Sequence, residues 1–293
     1  SSVVETIWQD PCGVLAWGPG QAESVVVDGG YEVTADISFV SGSRHATWLA
    51  AHTSSVKEAD GTVRLGADGK PENRSLIFPA SEIELIDNWD VLGLRGTGSN
   101  SFSIKRKFVP EAFTIVRSTM IEQTPDAPPL YRFPQMGIYA LGFAGVALGL
   151  ARGFLDAFVA LAQVKKPRLV AHPLKDNPVV QDEYARCDAR VSAARALLVS
   201  EIETGWREAM AEALTVEQRM RIRLAATHAI HEAKGAVDTL YDTAGTSSVF
   251  ASSPFERRFR DIHTVAQQIQ GRKTHYQSVG AWMLGNSPDM AII

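Results

Sequence analysis

Residues 31–39 read Tyr-Glu-Val-Thr-Ala-Asp-Ile-Ser-Phe. The apolar Tyr31, Val33, Ala35, Ile37 and Phe39 alternate with Glu32, Thr34, Asp36 and Ser38. That period of two gives a strand with one face against a core and the other toward water. Asp28-Gly29-Gly30, immediately before it, is hairpin-turn chemistry, because glycine reaches the positive φ that tight turns require. Val25 to Val27 is therefore the expected partner strand. Further out, Phe102, Ile104 and Phe108 alternate until Pro110, and Ile83 with Leu85 predicts another short strand. Residues 60–73, rich in Gly, Asp and Lys, read as a long exposed hairpin loop. A compact β domain is expected from Gly13 to about Pro110.

Past Thr124-Pro-Asp-Ala-Pro-Pro129, whose prolines end regular structure, the period changes. Val180, Tyr184, Cys187, Val191, Ala194, Leu198, Ile202 and Trp206 recur every three or four residues behind the start signal Asn177-Pro178, which predicts one long amphipathic helix. Helices of similar length are expected over 135–164, 216–242 and 254–284. Four long helices imply a bundle. Phe133 to Ala151 is nearly charge-free and as long as a membrane span, but its four glycines and the closing Arg152 and Asp156 suit a central bundle helix better. The expected organisation is α+β, with a β domain over residues 1–118 and a helical bundle over 119–293.

The 293 residues are 45% hydrophobic and 21% charged, ordinary for a globular protein. A net charge of -4 argues against nucleic acid held by phosphate neutralisation and leaves a small molecule as the expected ligand. Cys12 and Cys187 fall in different domains with no metal-type spacing, so free thiols in a cytoplasmic protein are expected. Ser-Ser-Val-Val-Glu-Thr at the start has neither a basic nor an apolar run of a signal peptide. His228 and His231 beside Glu232 have a spacing that can bind metal, but three ligands are normally needed and no further one is evident. No metal is expected.

Three further segments carry more information. Ser253-Pro-Phe-Glu-Arg-Arg-Phe-Arg-Asp261 follows Ala244-Gly-Thr-Ser247. Trp89-Asp-Val-Leu-Gly-Leu-Arg-Gly-Thr-Gly-Ser99 leads to Phe108-Val-Pro-Glu111, and Phe39-Val-Ser-Gly-Ser-Arg-His-Ala46 precedes both. In this order, over about Gly13 to Gly285, they resemble the acyl-CoA dehydrogenase superfamily of flavoenzymes. The resemblance implies a central β-barrel or sandwich followed by a C-terminal four-helix bundle, while the N-terminal helical domain of typical members has no counterpart. It further implies bound FAD or FMN and a homotetramer whose neighbouring subunit adds to each flavin site.

Phe39, Ser41, Gly42 and Ser43 match the strand-end segment that faces the isoalloxazine, where small donors can approach its N5 and carbonyl edge. Gly245, Thr246 and Ser247 form a helix-loop-helix corner at which a diphosphate or flavin edge could meet backbone, and Arg260 lies on the following helix. Trp89 and Arg95 match a segment at the mouth of the substrate cavity. Each also has a plain structural reading: a Ser-Gly turn, a glycine helix cap, a solvated or paired charge, a core tryptophan.

The family's dehydrogenases remove an α-proton with a carboxylate on the first or last bundle helix. Here no Asp or Glu lies between Asp261 and Asp289, nor between Asp126 and Asp156. The Ser-Pro-Phe-Glu-Arg-Arg-Phe-Arg-Asp-Ile-His form of the last helix resembles instead the two-component flavin monooxygenases, which take reduced flavin from a separate reductase and react it with oxygen on a small aromatic or nitrogenous substrate. A serine of the Ser-Gly segment and a histidine eight residues after the arginine assist there. Ser41 matches the first, but the second position holds Gln268, which can donate a hydrogen bond but cannot titrate. His263 is rotated off that helical face, whereas Thr264 and Arg272 share it and would complete a polar pocket. Catalytic roles are thus expected for Ser41, Gln268 and His263, with acyl-CoA desaturation and a non-catalytic flavin-binding scaffold as alternatives.

Overall fold

The computed structural model describes residues 2–66, 69–117 and 128–287. The chain divides into two units, one of residues 1–91 and 95–120 and one of residues 92–94 and 121–293. The boundary expected at 118/119 and most of the Thr124–Pro129 stretch lie outside the described residues.

The first unit opens with helix α1 (Ser2–Trp8), which the sequence reading did not anticipate. Among the described residues nine strands follow: β1 (Leu15–Trp17), β2 (Gly20–Val27), β3 (Gly30–Val40), β4 (Trp48–Thr53), β5 (Val56–Lys57), β6 (Arg74–Pro79), β7 (Leu85–Ile86), β8 (Asn100–Pro110) and β9 (Thr114–Val116). They form two sheets, ordered β1-β4-β6-β9 and β5-β2-β3-β8-β7. The alternation of residues 31–39 does what its period demands: Tyr31, Val33, Ala35 and Ile37 are buried and share one core with Leu49, Ala51, Leu76 and Phe78 of the other sheet. This is a sandwich. The β2–β3 hairpin turns on Asp28-Gly29, with Gly29 at φ 74°.

Ile83 falls outside its expected strand, because a 3-10 turn over Ala80–Glu82 occupies that stretch and pairing begins at Leu85. The excursion over 60–73 is pinned by bridges Lys57 to Val63 and Leu65 to Pro71. Arg74, buried, anchors its base through Glu72 (3.0 Å) and Glu111 (2.7 Å).

The second unit contains α2 (Gln135–Val164), α3 (Pro178–Ala211), α4 (Val216–Ala244), α5 (Pro254–Gln267) and α6 (Thr274–Met283). Asn177, Thr215 and Ser253 cap α3, α4 and α5 through their side-chain oxygens, each satisfying a backbone N–H that the helix cannot. Although α2 is long and apolar enough to cross a membrane, Ala140, Ala144, Ala147, Ala151, Phe154 and Phe158 are buried in the bundle core with Ala225, Ala229, Ala233 and Ala236 of α4. Small residues on both helices permit this close packing.

The long helix expected over 254–284 is broken. α5 ends at Gln267, Gln268 takes extended angles (φ -66°, ψ 152°), and a 3-10 turn over Ile269–Gly271 precedes α6. Gln268 caps that turn, its Oε1 accepting from the Gln270 N–H at 2.6 Å. A Cβ at Gly271 would stand 2.8 Å from the carbonyl oxygen of Ala266, so a glycine is needed where the chain folds back on α5.

Candidate functional site

On the β unit, the pairing of β3 with β8 shifts register between Ile37 and Val40. Such a bulge re-aims side chains at the end of a strand. Phe39 takes φ 56° and is exposed, and its ring meets Trp89 nearly edge-on with centroids 5.9 Å apart. Beyond Val40 the chain is held by backbone bonds, Ser41 N–H donating to Phe39 C=O (3.0 Å) and Gly42 N–H to Thr97 C=O (2.8 Å). Gly42 sits at φ 78°, a region that costs other residues about 1–2 kcal/mol. Ser43 is buried and donates to Gly98 C=O at 3.1 Å.

The hydroxyls of this corner form a chain. Ser41 Oγ lies 2.8 Å from Ser99 Oγ, which lies 2.7 Å from Thr97 Oγ1. Ser41 is the exposed end and Ser99 is buried. Hydrogen-bonded hydroxyls polarise one another, so the outward lone pairs or proton of Ser41 are oriented rather than free to rotate. An exposed Phe39 ring packed on the half-buried Trp89, in the same segment as an oriented hydroxyl, suits a planar heterocycle with a polar edge, and a flavin ring fits that description. Arg95 opens a 3-10 turn over Arg95–Thr97 and is exposed. Thr97 and Ser99 were missed as site residues. Both lie inside the Trp89–Ser99 segment, but no local pattern joins positions 41 and 99.

On the bundle, Leu92–Leu94 runs against α5. Asp261 accepts from the Leu94 N–H at 2.7 Å, and Arg260 donates to the Leu92 carbonyl and, at 3.0 Å, to Glu256. Arg260 and Asp261 therefore hold a passing segment rather than pairing with each other. At the end of α4, Gly245 (φ 54°) opens a 3-10 turn over Gly245–Ser248. Gly245 and Thr246 are exposed, Ser247 is half-buried, and Ser248 is buried with its hydroxyl on Gly245 C=O at 2.6 Å. Lys165 donates to the Ala244 carbonyl beside them, and burial pulls its ammonium below the ordinary lysine range. The corner thus offers backbone and an ammonium to an anionic group, as a flavin phosphate would require.

His263 packs against Phe259 with centroids 4.4 Å apart and the rings tilted by 46°, and its Nε2 lies 2.8 Å from Asp238 Oδ1. Asp238 was not singled out in the sequence, since it is 25 residues upstream on a different helix. The helical face expected to join Gln268 with Thr264 and Arg272 does not exist, because α5 stops before Gln268. Thr264 instead turns its hydroxyl back to Arg260 C=O at 3.0 Å, and Arg272 is exposed beyond the turn.

The Gln268 turn is held from three directions. Arg223 of α4, 1% exposed, donates to Gln270 Oε1 at 2.6 Å and to Met136 C=O at 3.1 Å. Its Nε has no partner among the described residues, and burial pulls the guanidinium down to about 10. His231 Nε2 lies 2.9 Å from Gly271 C=O and His275 Nε2 2.8 Å from Ile269 C=O. Burial lowers both imidazoles, which favours the neutral ring donating its Nε2–H to the carbonyl. Of the three residues considered for metal, His231 is thereby engaged and Glu232 pairs with Arg190 at 2.6 Å.

A sandwich followed by a bundle, with a Ser-Gly strand end on one and a glycine corner on the other, defines a class. Residues 141–271 match the family model "Acyl-CoA dehydrogenase, C-terminal domain". The chain is 27% identical over 290 residues to indole-3-acetate monooxygenase of Pseudomonas putida, covering 98% of this chain and 71% of that one. It is 28% identical over 271 residues to the flavin-dependent monooxygenase oxygenase subunit HsaA of Mycobacterium tuberculosis, covering 88% of this chain and 66% of that one. The crystal structure of XiaF from a Streptomyces species, in complex with FADH2 and glycerol, superposes with a TM-score of 0.87 at 23% identity, covering 98% of this chain and 73% of that one. The chain is similar to proteins of the acyl-CoA dehydrogenase superfamily, the family match covering residues 141–271. Within it, these relatives are flavin-dependent monooxygenases.

Proposed function

We propose that the protein is the oxygenase component of a two-component flavin-dependent monooxygenase. It binds reduced FAD or FMN delivered by a separate flavin reductase and uses oxygen on a small, aromatic organic substrate. The observation that carries this reading is likeness along nearly the whole chain to flavin-dependent monooxygenases. The residue chemistry agrees, since neither the first bundle helix before Asp156 nor the segment between Asp261 and Asp289 supplies the carboxylate that α-proton removal requires.

A bound flavin supplies the electrons and the site of oxygen activation. Phe39 and Trp89 offer its ring flat apolar area, while Ser41, oriented by Ser99 and Thr97, presents a hydroxyl to the polar edge. On the bundle, considered by itself, Gly245, Thr246, Ser247 and Lys165 form a corner that would hold an anionic group, and on the β unit Arg95 would meet an acidic group of the substrate. Gln268 keeps its oxygen on the Gln270 N–H, which leaves its amide NH2 as a donor. The working form is a cytoplasmic homotetramer.

The test mixes protein, reduced flavin, oxygen and candidate aromatic substrates such as indole-3-acetate, and follows oxygenated product by mass. Product formed only when reduced flavin is supplied is the expected result. Anaerobic bleaching of bound oxidised flavin by an acyl-CoA, without added reductant, would establish desaturation instead. Flavin binding without oxygenation of any substrate would leave a carrier.

A further inference from the structure

Arg223 is an ionised side chain on a buried stretch of α4, next to Ile222 in sequence and three residues after Met220, both fully buried. Buried charges are normally paired with an opposite charge. Among the described residues Arg223 meets neutral oxygens only, those of Gln270 and Met136, and burial disfavours its charge with no acidic neighbour there to offset that. Holding two carbonyls does not require an uncompensated cation. What the cation adds is a strong, directional bond to Gln270, because a charged donor binds about twice as tightly as a neutral one and the guanidinium plane fixes the direction.

Gln270 is itself buried, and its backbone N–H is the group that Gln268 caps. The residues on either side are held by carbonyl bonds, Ile269 to His275 and Gly271 to His231. Each residue of the turn is thus anchored to a different side chain, one from α6 and two from α4. We propose that Arg223 is a positioning residue which, through Gln270 and with His231 and His275, fixes the Gln268–Gly271 turn and aims the Gln268 amide. The proposal rests on the reading that Gln268 serves the flavin site, but it is tested separately from it.

In the flavin-free protein, Gln270→Leu should speed amide hydrogen exchange of residues 269–272 roughly tenfold, the loss of one charge-assisted bond, while the core amides of α4 stay slow. With reduced flavin and oxygen supplied, the same variant should release several-fold more hydrogen peroxide per oxygen consumed at unchanged flavin affinity. Gln270→Glu, whose carboxylate still accepts from Arg223, should keep both readouts near wild type. The double variant Arg223→Met with Gln270→Leu leaves neither polar group orphaned, so its Tm should recover while its exchange and leakage stay high.

Unchanged exchange at the turn in Gln270→Leu would overturn the proposal, as would a double variant that recovers slow exchange and tight coupling together with its Tm, since packing alone would then explain the site. Gln268→Ala separates the two readings. If it couples as well as wild type, the flavin-side role of Gln268 fails, and the exchange data still decide the positioning.

Discussion

At the strand end of the β unit, position is set by backbone: a bulge, Phe39 and Gly42 at positive φ, and amide bonds within a few residues bring Ser41 to the surface. At the Gln268 turn it is set by side chains arriving from 40 to 47 residues upstream, a buried guanidinium and an imidazole of α4, with a second imidazole from α6. A site made by backbone conformation tolerates exchange of its neighbours as long as the backbone can be reached. One made by buried polar side chains fails whenever a donor or acceptor is orphaned.

Two glycines sharpen this contrast most strongly. A Cβ at Gly93 would lie 2.3 Å from the carbonyl oxygen of Arg260 and 2.6 Å from Thr264 Oγ1, whereas one at Gly42 would meet only the His45 ring at 3.3 Å. Gly93→Ala must lift Leu92–Leu94 off α5, breaking the Asp261 and Arg260 bonds, and should cost about 3 kcal/mol. Gly42→Ala should cost the left-handed penalty alone, about 1–2 kcal/mol. Urea unfolding of the two variants measures both, and the contrast breaks if Gly42→Ala is the worse.

Acidification probes the two regions through their buried histidines. In the β unit, burial pulls His52 down to about 4, with Arg117 adding to the shift, and His52 Nδ1 lies 2.9 Å from Ser75 Oγ. In the bundle, His231 and His275 are lowered as well. A lowered folded pKa means that the unfolded chain takes up protons first. The contribution to stability is therefore present above about pH 6.5 and is lost as pH falls through the folded value. For His52 the full loss is about 3 kcal/mol, reached only below pH 4. Tm measured from pH 7 to 4 should fall, and His52→Gln should flatten that fall. If His52→Gln changes nothing while His275→Gln does, the acid sensitivity belongs to the bundle alone.

Ser41→Ala removes the exposed end of the hydroxyl chain and leaves the fold intact. A single hydrogen bond of about 1.4 kcal/mol corresponds to roughly a tenfold loss of product per flavin oxidised. Ser99→Ala, which only disorients Ser41, should lose less. Single-turnover measurements of product and peroxide distinguish them. An equal loss in the two variants would mean that Ser99 rather than Ser41 carries the role.

The sandwich and the first three long helices were legible because burial imposes a period, which residues 31–37 and 180–202 keep, although Phe39 and Trp206 at the ends of the two runs are exposed. Ser41, Gly42 and Ser43 were legible for a related reason, as a compact run of small residues at a strand end. The hydroxyl chain was not, since its other members lie 56 and 58 positions away and are joined to Ser41 only by strand pairing. The break after Gln267 was also invisible. Gln-Gln-Ile-Gln-Gly carries no proline, its single glycine is tolerable within a helix, and the residues that stabilise the turn, Arg223 and His231, are on α4. A tertiary contact overrode a local preference there.

The smallest expected effect is the most informative about that break. Gln268→His restores the residue that the resembling monooxygenases carry eight positions after the arginine. If helix continuity decided the matter, this change would return a titratable donor to the site and lower peroxide release. With Gln268 at extended angles, the substitution should instead forfeit the cap on the Gln270 N–H, at a cost of about 1 kcal/mol, and leave coupling no better. Stopped-flow oxidation of reduced flavin with and without substrate, alongside Tm, reads both. Improved coupling in Gln268→His would show that side-chain chemistry, and not the path of the backbone after α5, separates this chain from the enzymes that it resembles.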